Sequence, residues 1–141
     1  MKRMMLFMTA FWLLALGCAA CGTGAAEGES VSSGPGYRSV SQEEAAAMME
    51  RDDGHIVVDV RREEECRSGH IPGAVLIPNE SIGTEPPEEL PDTGQIILIY
   101  CRSGRRSKEA ARKLAAMGYT RIYEFGGINT WNGPIETDPS Q

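Results

Sequence analysis

IILIYCRSGRRSKEAARKL, residues 96–114, joins two kinds of text. It opens with a continuous apolar run, suited to a strand buried on both faces. It closes in an alanine-rich pattern that continues to Gly118, with Ala110, Ala111, Leu114, Ala115 and Met117 near one face, which predicts a helix starting near Ser107 and capped by Gly118. Between strand and helix stand a single cysteine, Cys101, and then Arg102, Ser103, Gly104, Arg105 and Arg106. A thiolate rather than a thiol is the useful nucleophile, and its pKa falls near cations and at a helix N-terminus. Cys101 is expected to have both. The helix would offer unsatisfied N–H groups and the positive end of its dipole. Gly104 would let the backbone curl, so that successive N–H groups face inward as an anion nest. The loop reads as a device for holding an anion on sulfur.

Working outward, the same alternation of strand and helix continues. YRSV (37–40) is a short strand candidate, and SQEE (41–44) is a capping box opening a helix with Ala45, Met48 and Met49 on one face and Gly54 as its stop. HIVVDV (55–60) is a second buried strand, and REEECRS (62–68) is a short charged helix ended by Gly69. GHIPGAVLIP (69–78) supplies a proline turn and a third strand. Residues 79–94 read as loop, with a turn of helix at PEEL (87–90). RIYEF (121–125) is the fifth strand after 96–100, and GGINTWNG (126–133) turns into a last short helix before a disordered tail over 137–141. Such alternation predicts an α/β fold, a five-stranded parallel sheet with helices on both faces. Ligands of such sheets bind outside the carboxyl ends of the strands. Asp59 to Arg61 and Cys101 occupy two such ends, so a shared crevice is expected.

The chain has 141 residues, 41% hydrophobic and 24% charged, enough for one compact domain and hardly for two. Its net charge of −6 argues against nucleic acid as a partner and makes the basic loop a local feature. The start is different material. Lys2 and Arg3 precede an apolar run from Met4 and then small residues around Cys18 and Cys21, the layout of a signal peptide. The run falls just short of the ~20 residues a comfortable membrane span requires. LALGC (14–18) resembles a bacterial lipobox, with Ala15 where leucine is usual. This predicts a signal peptide over 1–17 and a lipidated Cys18 holding the protein outside the cytoplasm on its membrane; plain secretion or an uncleaved N-terminal anchor is the alternative. Several acyl chains on one residue suffice for stable anchoring. Residues 18–36 are rich in Gly, Ser and other small residues and read as a tether, spanning on the order of 20 Å. The domain is then expected over 37–136. Cys18 and Cys21 form C-x-x-C, but no second pair stands at metal spacing, so no metal site is expected.

Several pieces together carry a resemblance. DVR (59–61), the spaced Glu65 followed by GHIPGA (69–74), the loop CRSGRRS (101–107), Gly118–Tyr119 after the helix, and GGINTW (126–131) resemble, in order and spacing, a single rhodanese domain. The resemblance implies a sulfurtransferase. Cys101 would carry sulfane sulfur as a persulfide, taking it from a small anionic donor such as thiosulfate, a polysulfide or a persulfidated thiol and passing it to a thiol or other thiophilic acceptor. Backbone N–H groups over 102–106 would cradle the persulfide, Arg102, Arg105 or Arg106 would bind the donor, and Asp59 and Arg61 would organise the loop from beside it. Ser103, Gly104 and Ser107 complete the loop. No metal or organic cofactor is implied.

Two other readings compete with this one. Phosphatases with cysteine loops carry H-C-x5-R; here Tyr100 precedes the cysteine and Ser107 stands where the arginine would fall. A non-catalytic sulfur- or protein-binding rhodanese module would not need a cysteine and a full set of arginines. His70 invites a general-base reading, yet chemistry starting from a thiolate needs none, and GHIPGA is a turn motif, so a structural role is expected. Cys66 stands where such domains usually carry an aromatic residue; a small buried hydrophobe is expected there, with a resolving thiol as the sharper alternative. Trp131 and Gly126–Gly127 read as structural.

Overall fold

The computed structural model describes residues 33–34 and 36–138. The signal peptide, Cys18, Cys21 and nearly all of the tether lie outside the described residues, as do 139–141 at the end of the tail. Among the described residues no helix is long and apolar enough to cross a membrane.

In chain order the elements are β1 (Ser33–Gly34), β2 (Tyr37–Ser39), α1 (Gln42–Met49), β3 (Ile56–Asp59), α2 (Glu63–Arg67), β4 (Val75–Leu76), β5 (Ile97–Cys101), α3 (Arg105–Ala116), β6 (Ile122–Gly127) and a 3-10 turn at Ile128–Thr130. The sheet order is β1-β2-β6-β5-β3-β4. Five strands are parallel, as expected. The sixth, β1, is a two-residue antiparallel edge in which Gly34 lies opposite Tyr37. Ladder bonds at an edge need no apolar pattern, so nothing in SSGPG announced it.

Side-chain alternation divides the core. Val58, Val60, Ile97, Ile99 and Cys101 face α3 and its Ala110, Ala111 and Leu114. Val57, Leu98, Tyr100 and Phe125 face α1, through Ala45 and Met48, and Ile71. Every residue of β5 is buried, the signature of a central parallel strand. Successive residues Tyr100 and Cys101 therefore look into opposite layers.

Local chemistry sets the helix starts. The Ser41 hydroxyl accepts the Glu44 N–H at 3.1 Å and opens α1. At α2, the Glu65 carboxylate accepts the Arg62 N–H at 3.1 Å and closes the first turn. Helix α3 begins at Arg105, two residues before the expected start, because Gly104 occupies the N-cap with φ +96°. Ser107 consequently sits inside the first turn rather than ahead of it. PEEL forms a single turn, with the Leu90 N–H donated to Pro87 O at 3.0 Å, and no helix. The final expected helix is only the 3-10 turn, since both glycines of GGINTW belong to β6. The end of the domain is pinned: His70 and Glu136 exchange two backbone hydrogen bonds of 2.8 Å.

Candidate active site

Cys101 ends β5 with 1% of its surface exposed. The Gly104 N–H is donated to its sulfur at 3.1 Å. Helix α3 leaves the N–H groups of its first turn without partners of its own, and the sulfur receives what they offer. Burial pushes the Cys101 thiol up; hydrogen bonds from the Ser107 hydroxyl and from the N–H groups of Ser107, Ser103 and Gly104 outweigh it, and the net pKa lies below the ordinary thiol value. The helix-start argument for a stabilised thiolate thus has its counterpart in the geometry. The N–H contribution comes from residues 103 and 104, inside the expected 102–106, and from residue 107, one position beyond it.

Two glycines make this curl possible. Gly104 uses a left-handed φ of +96°, which L-residues with side chains adopt at a cost. Gly127, opposite Cys101 in the β5–β6 ladder, lies so close to the loop that a Cβ there would stand 2.2 Å from Arg102 O. Behind it the Asn129 N–H is donated to the same carbonyl at 3.2 Å. The GG of GGINTW is thus the floor of the loop, and Trp131 braces it from behind by packing on Phe125 at 5.7 Å.

The arginines separate by role. Arg106 forms a two-pronged pair with Glu65, Nη1–Oε2 at 2.7 Å and Nη2–Oε1 at 2.8 Å. That pair, aided by the Arg62 N–H, holds Glu65 down at about 2. Arg106 is therefore occupied, contrary to the expectation that any of the three arginines could take a donor. Arg105 is free for that task, with 80% of its side chain exposed and only a 4.0 Å approach to Glu109. Arg102 is exposed as well. With Arg62, Glu65, Glu80, Ser103 and Arg106 they line an open cleft of about 380 Å³ over the loop. Another depression of about 260 Å³, around Tyr37 and Ile122, opens at the opposite end of the sheet and holds no nucleophile.

Asp59 and Arg61 are not in that cleft. Both are buried, and Arg61 Nη2 lies 2.6 Å from Asp59 Oδ2. Asp59 also accepts the Tyr100 hydroxyl at 2.7 Å and the Arg61 N–H at 2.9 Å, while Arg61 bonds Gly69 O at 2.7 Å. No hydrogen bond joins the pair to residues 101–107. Because Tyr100 and Cys101 point into opposite layers, the shared crevice expected from the sequence resolves into two sites, the buried pair acting on the loop only through the strand. His70 has the structural place expected of it, Nδ1 lying 3.0 Å from Cys66 O. Cys66 is a free, buried thiol, pushed up to about 11 by burial and by the neighbouring Asp59 carboxylate. It shares nothing with the activated sulfur.

Sequence reasoning left two carboxylates without roles. Glu65 was noticed only as spacing, although the charge of a loop arginine asked for a partner. Glu124 was read as part of a plain strand; it is 2% exposed and lies under the loop, 2.7 Å from Ser107 Oγ. A charged residue inside RIYEF, where a buried strand predicts an apolar one, was the available signal.

The rhodanese-like domain model matches residues 41–133, spanning every piece of this site. The chain belongs to the rhodanese-like family. Among curated rhodanese relatives, the thiosulfate sulfurtransferase PspE of Escherichia coli is 34% identical over 71 residues, covering 50% of this chain and 68% of its own. The thiosulfate sulfurtransferase GlpE of Pseudomonas entomophila is 29% identical over 106 residues, 74% of this chain and 94% of its own. Among solved structures, a rhodanese with anions from E. coli superposes with a TM-score of 0.55 at 30% identity, covering 60% of this chain and 99% of that one. A sulfurtransferase-type function accordingly applies to this rhodanese at the level of the family.

Proposed function

We propose that this rhodanese moves a sulfane sulfur from a small anionic donor, thiosulfate or a persulfide, to a thiol acceptor through a persulfide on Cys101. The observation that carries this is the sulfur of Cys101 facing the N–H groups of an α3 first turn, with the Gly104 N–H at 3.1 Å. The Cys101 thiolate attacks the outer sulfur of thiosulfate; the S–S bond to the sulfonate breaks, its electron pair leaves with sulfite, and the new Cys101 S–S bond leaves one negative charge on the outer sulfur. A thiolate or cyanide then attacks that outer sulfur, and the electron pair returns to Cys101. Two-electron exchange of this kind needs no oxidant and no base. Arg105 and Arg102 supply the positive charge that draws the dianion into the cleft. The N–H groups serve the thiolate and the persulfide anion in turn, so the charge stays solvated by protein throughout.

The same reading places the protein outside the cytoplasm, on a lipid carried by Cys18, with the tether holding the rhodanese clear of the headgroups. The leader and the lipobox support it, and Cys18→Ala is expected to release the protein from the membrane fraction. For the chemistry, the full chain in detergent is incubated briefly with thiosulfate and its intact mass is measured, alongside Cys101→Ser. One added sulfur, discharged by cyanide and missing in the variant, is expected. No adduct from thiosulfate, polysulfide or a persulfidated thiol would refute sulfur transfer and favour a binding module.

A further inference from the structure

Helices α1, α2 and α3 do not treat their dipoles alike. The first turn of α1 carries Glu43 and Glu44, and that of α2 carries Glu63, Glu64 and Glu65, so both set negative charge against the positive helix end. The first turn of α3 has no acidic residue and holds Arg105 and Arg106 instead. From Arg102 to Lys113 the chain places six cations against Glu109 alone, in a protein whose net charge is −6. The thiolate and its donor account for the cations that line the cleft, Arg102, Arg105 and Arg106. They do not account for Lys108 and Arg112, which lie outside it.

Arg105, Lys108 and Arg112 stand at i, i+3 and i+7, one stripe of α3, and all three are exposed. The stripe lies away from Ala110, Ala111 and Leu114, which face the sheet. The one carboxylate nearby is taken, since Glu109 lies 3.4 Å from Lys113 and 4.0 Å from Arg105. Among the described residues neither Lys108 nor Arg112 joins an ion pair. At i and i+4 they repel each other across one turn. Like charge gathered on a solvent face, part of it against the helix's own dipole, lowers helix stability and is relieved by a negative partner. The stripe begins at the cleft, which Arg105 lines, and Arg112 stands about 10 Å further along the axis. That reach exceeds a thiosulfate or a persulfidated small thiol seated at Cys101. A partner that meets both ends of it is macromolecular.

We propose that the stripe of Arg105, Lys108 and Arg112 docks an acidic protein segment whose cysteine is the sulfur acceptor of Cys101. The proposal rests on the reading of Cys101 as the sulfur carrier. With 1% of its surface exposed, Cys101 can be reached only by a thiol brought through the cleft. A carboxylate-rich segment lying along α3 delivers its cysteine at the helix start, where the stripe and the cleft meet. The segment's thiolate attacks the outer sulfur of the persulfide, the S–S bond to Sγ breaks, and its electron pair returns to Sγ. The segment leaves with its cysteine as a persulfide. Anionic lipid also offers negative charge, but it carries no thiol, and lying on the stripe it would cover the cleft. Charge across such a contact governs the encounter rate and its salt dependence more than the final affinity.

The test follows discharge of the thiosulfate-loaded full chain, in nonionic detergent, by two synthetic peptides. One has a cysteine flanked by glutamates, the other the same cysteine flanked by glutamines, and intact mass reads the sulfur lost. Wild type is compared with Lys108→Gln/Arg112→Gln for each peptide, so the intrinsic reactivity of the peptide thiol cancels. The double variant is expected to slow the glutamate peptide about tenfold or more at low salt. Loading by thiosulfate and discharge by the glutamine peptide are expected to stay within about twofold. The difference between wild type and variant is expected to vanish at about 0.5 M salt. In Lys108→Glu/Arg112→Glu a lysine-flanked peptide is expected to react faster than it does with wild type. A glutamate peptide discharging wild type and double variant alike would assign the attraction to the cleft arginines and overturn the proposal. Equal slowing of both peptides overturns it too, since that is damage to the loop and not lost charge. Phosphatidylglycerol vesicles that bind wild type better than the double variant, with no preference between peptides, would give the stripe to lipid instead. No persulfide in wild type sinks the sulfur-transfer reading and this proposal with it; a persulfide whose discharge ignores Lys108 and Arg112 sinks the proposal alone.

Discussion

Cys101 and Cys66 are both free and nearly enclosed, with 1% and 9% of their surface exposed. Burial acts on them alike, destabilising the thiolate. Yet Cys101 ends below the ordinary thiol value and Cys66 rises to about 11. The difference lies in what each sulfur meets. Cys101 meets the N–H groups and hydroxyl of a helix start, all donors. Cys66 lies in α2 with the Asp59 carboxylate for a neighbour. Enclosure therefore does not decide whether a cysteine is a nucleophile; the sign of the surrounding dipoles does. The largest test of this contrast is iodoacetamide labelling at pH 7. Cys101 is expected to be alkylated at least about 100-fold faster than Cys66, because a thiol titrating near 11 is ionised in only about one molecule in 10⁴ at that pH, and one held below the ordinary 9.0 in more than about one in 10². Peptide mass spectrometry measures both sites in one sample, and comparable rates would break the comparison.

The donors around Cys101 exist only because the backbone can come close. Gly127→Ala puts a methyl group 2.2 Å from Arg102 O, so the loop must lift away from β6. The expected result is a loss of about 1–3 kcal/mol in denaturant unfolding together with about tenfold or more slower persulfide formation. A variant that kept its rate would mean that the N–H groups are aimed by α3 alone. At Cys66 no glycine is needed, and none of the surrounding backbone turns toward the sulfur.

How far the sequence carried the reading follows from the range of each force. The parallel sheet was legible because apolar runs such as VV and IILIY state their burial locally. Cys101 was legible because loop, arginines and helix are contiguous in the chain. The Asp59–Arg61 site was misplaced: strand ends can be located from the sequence, but which layer a side chain enters depends on the pleat, and Tyr100 rather than Cys101 is the neighbour of Asp59. The Arg106–Glu65 pair and the Ser107–Glu124 contact join residues 41 and 17 positions apart. No periodicity or spacing rule reports partners of that kind. Their only trace was a charge in a place that needed explaining, at Glu124 inside a strand and at Arg106 beside two other arginines.

The Glu65–Arg106 pair offers a smaller and sharper perturbation. Glu65 titrates at about 2 in the fold, below its ordinary value of 4.5. A depressed carboxyl contributes stability that is complete above the unfolded value and is lost as pH falls through the folded one. Wild type should therefore lose part of its stability between about pH 4.5 and 2, and Glu65→Gln should show a flatter profile across that window. At pH 7 the same variant is expected to cost about 1–3 kcal/mol, since Arg106 would keep a neutral partner in place of a two-pronged charged one. Arg106 already lines the cleft, and with its charged partner neutralised it offers more of its positive charge to the donor, so the KM for thiosulfate should fall while the thiolate pKa of Cys101 shifts little.

The least disruptive test concerns Cys66 itself. Its thiol is raised to about 11 against an ordinary 9.0, so it contributes stability that is complete below the unfolded value and is lost as pH climbs through the folded one. Cys66→Ala removes that dependence. It also removes one sulfur from a site where Asp59 retains its bonds from Arg61 and Tyr100, so no buried charge is left unpaired. The cost at pH 7 is then the small cavity alone, about 1 kcal/mol. Above about pH 9 the gap between the variant and wild type should close, because wild type sheds the thiol's contribution and the variant has none to shed. Sulfur transfer should stay within about twofold of wild type, since nothing at Cys66 donates to Cys101. If transfer instead collapsed in Cys66→Ala while unfolding midpoints held, sulfur would be passing between the two cysteines, and the line drawn here between a reacting thiol and a packing one would fail at its simplest point.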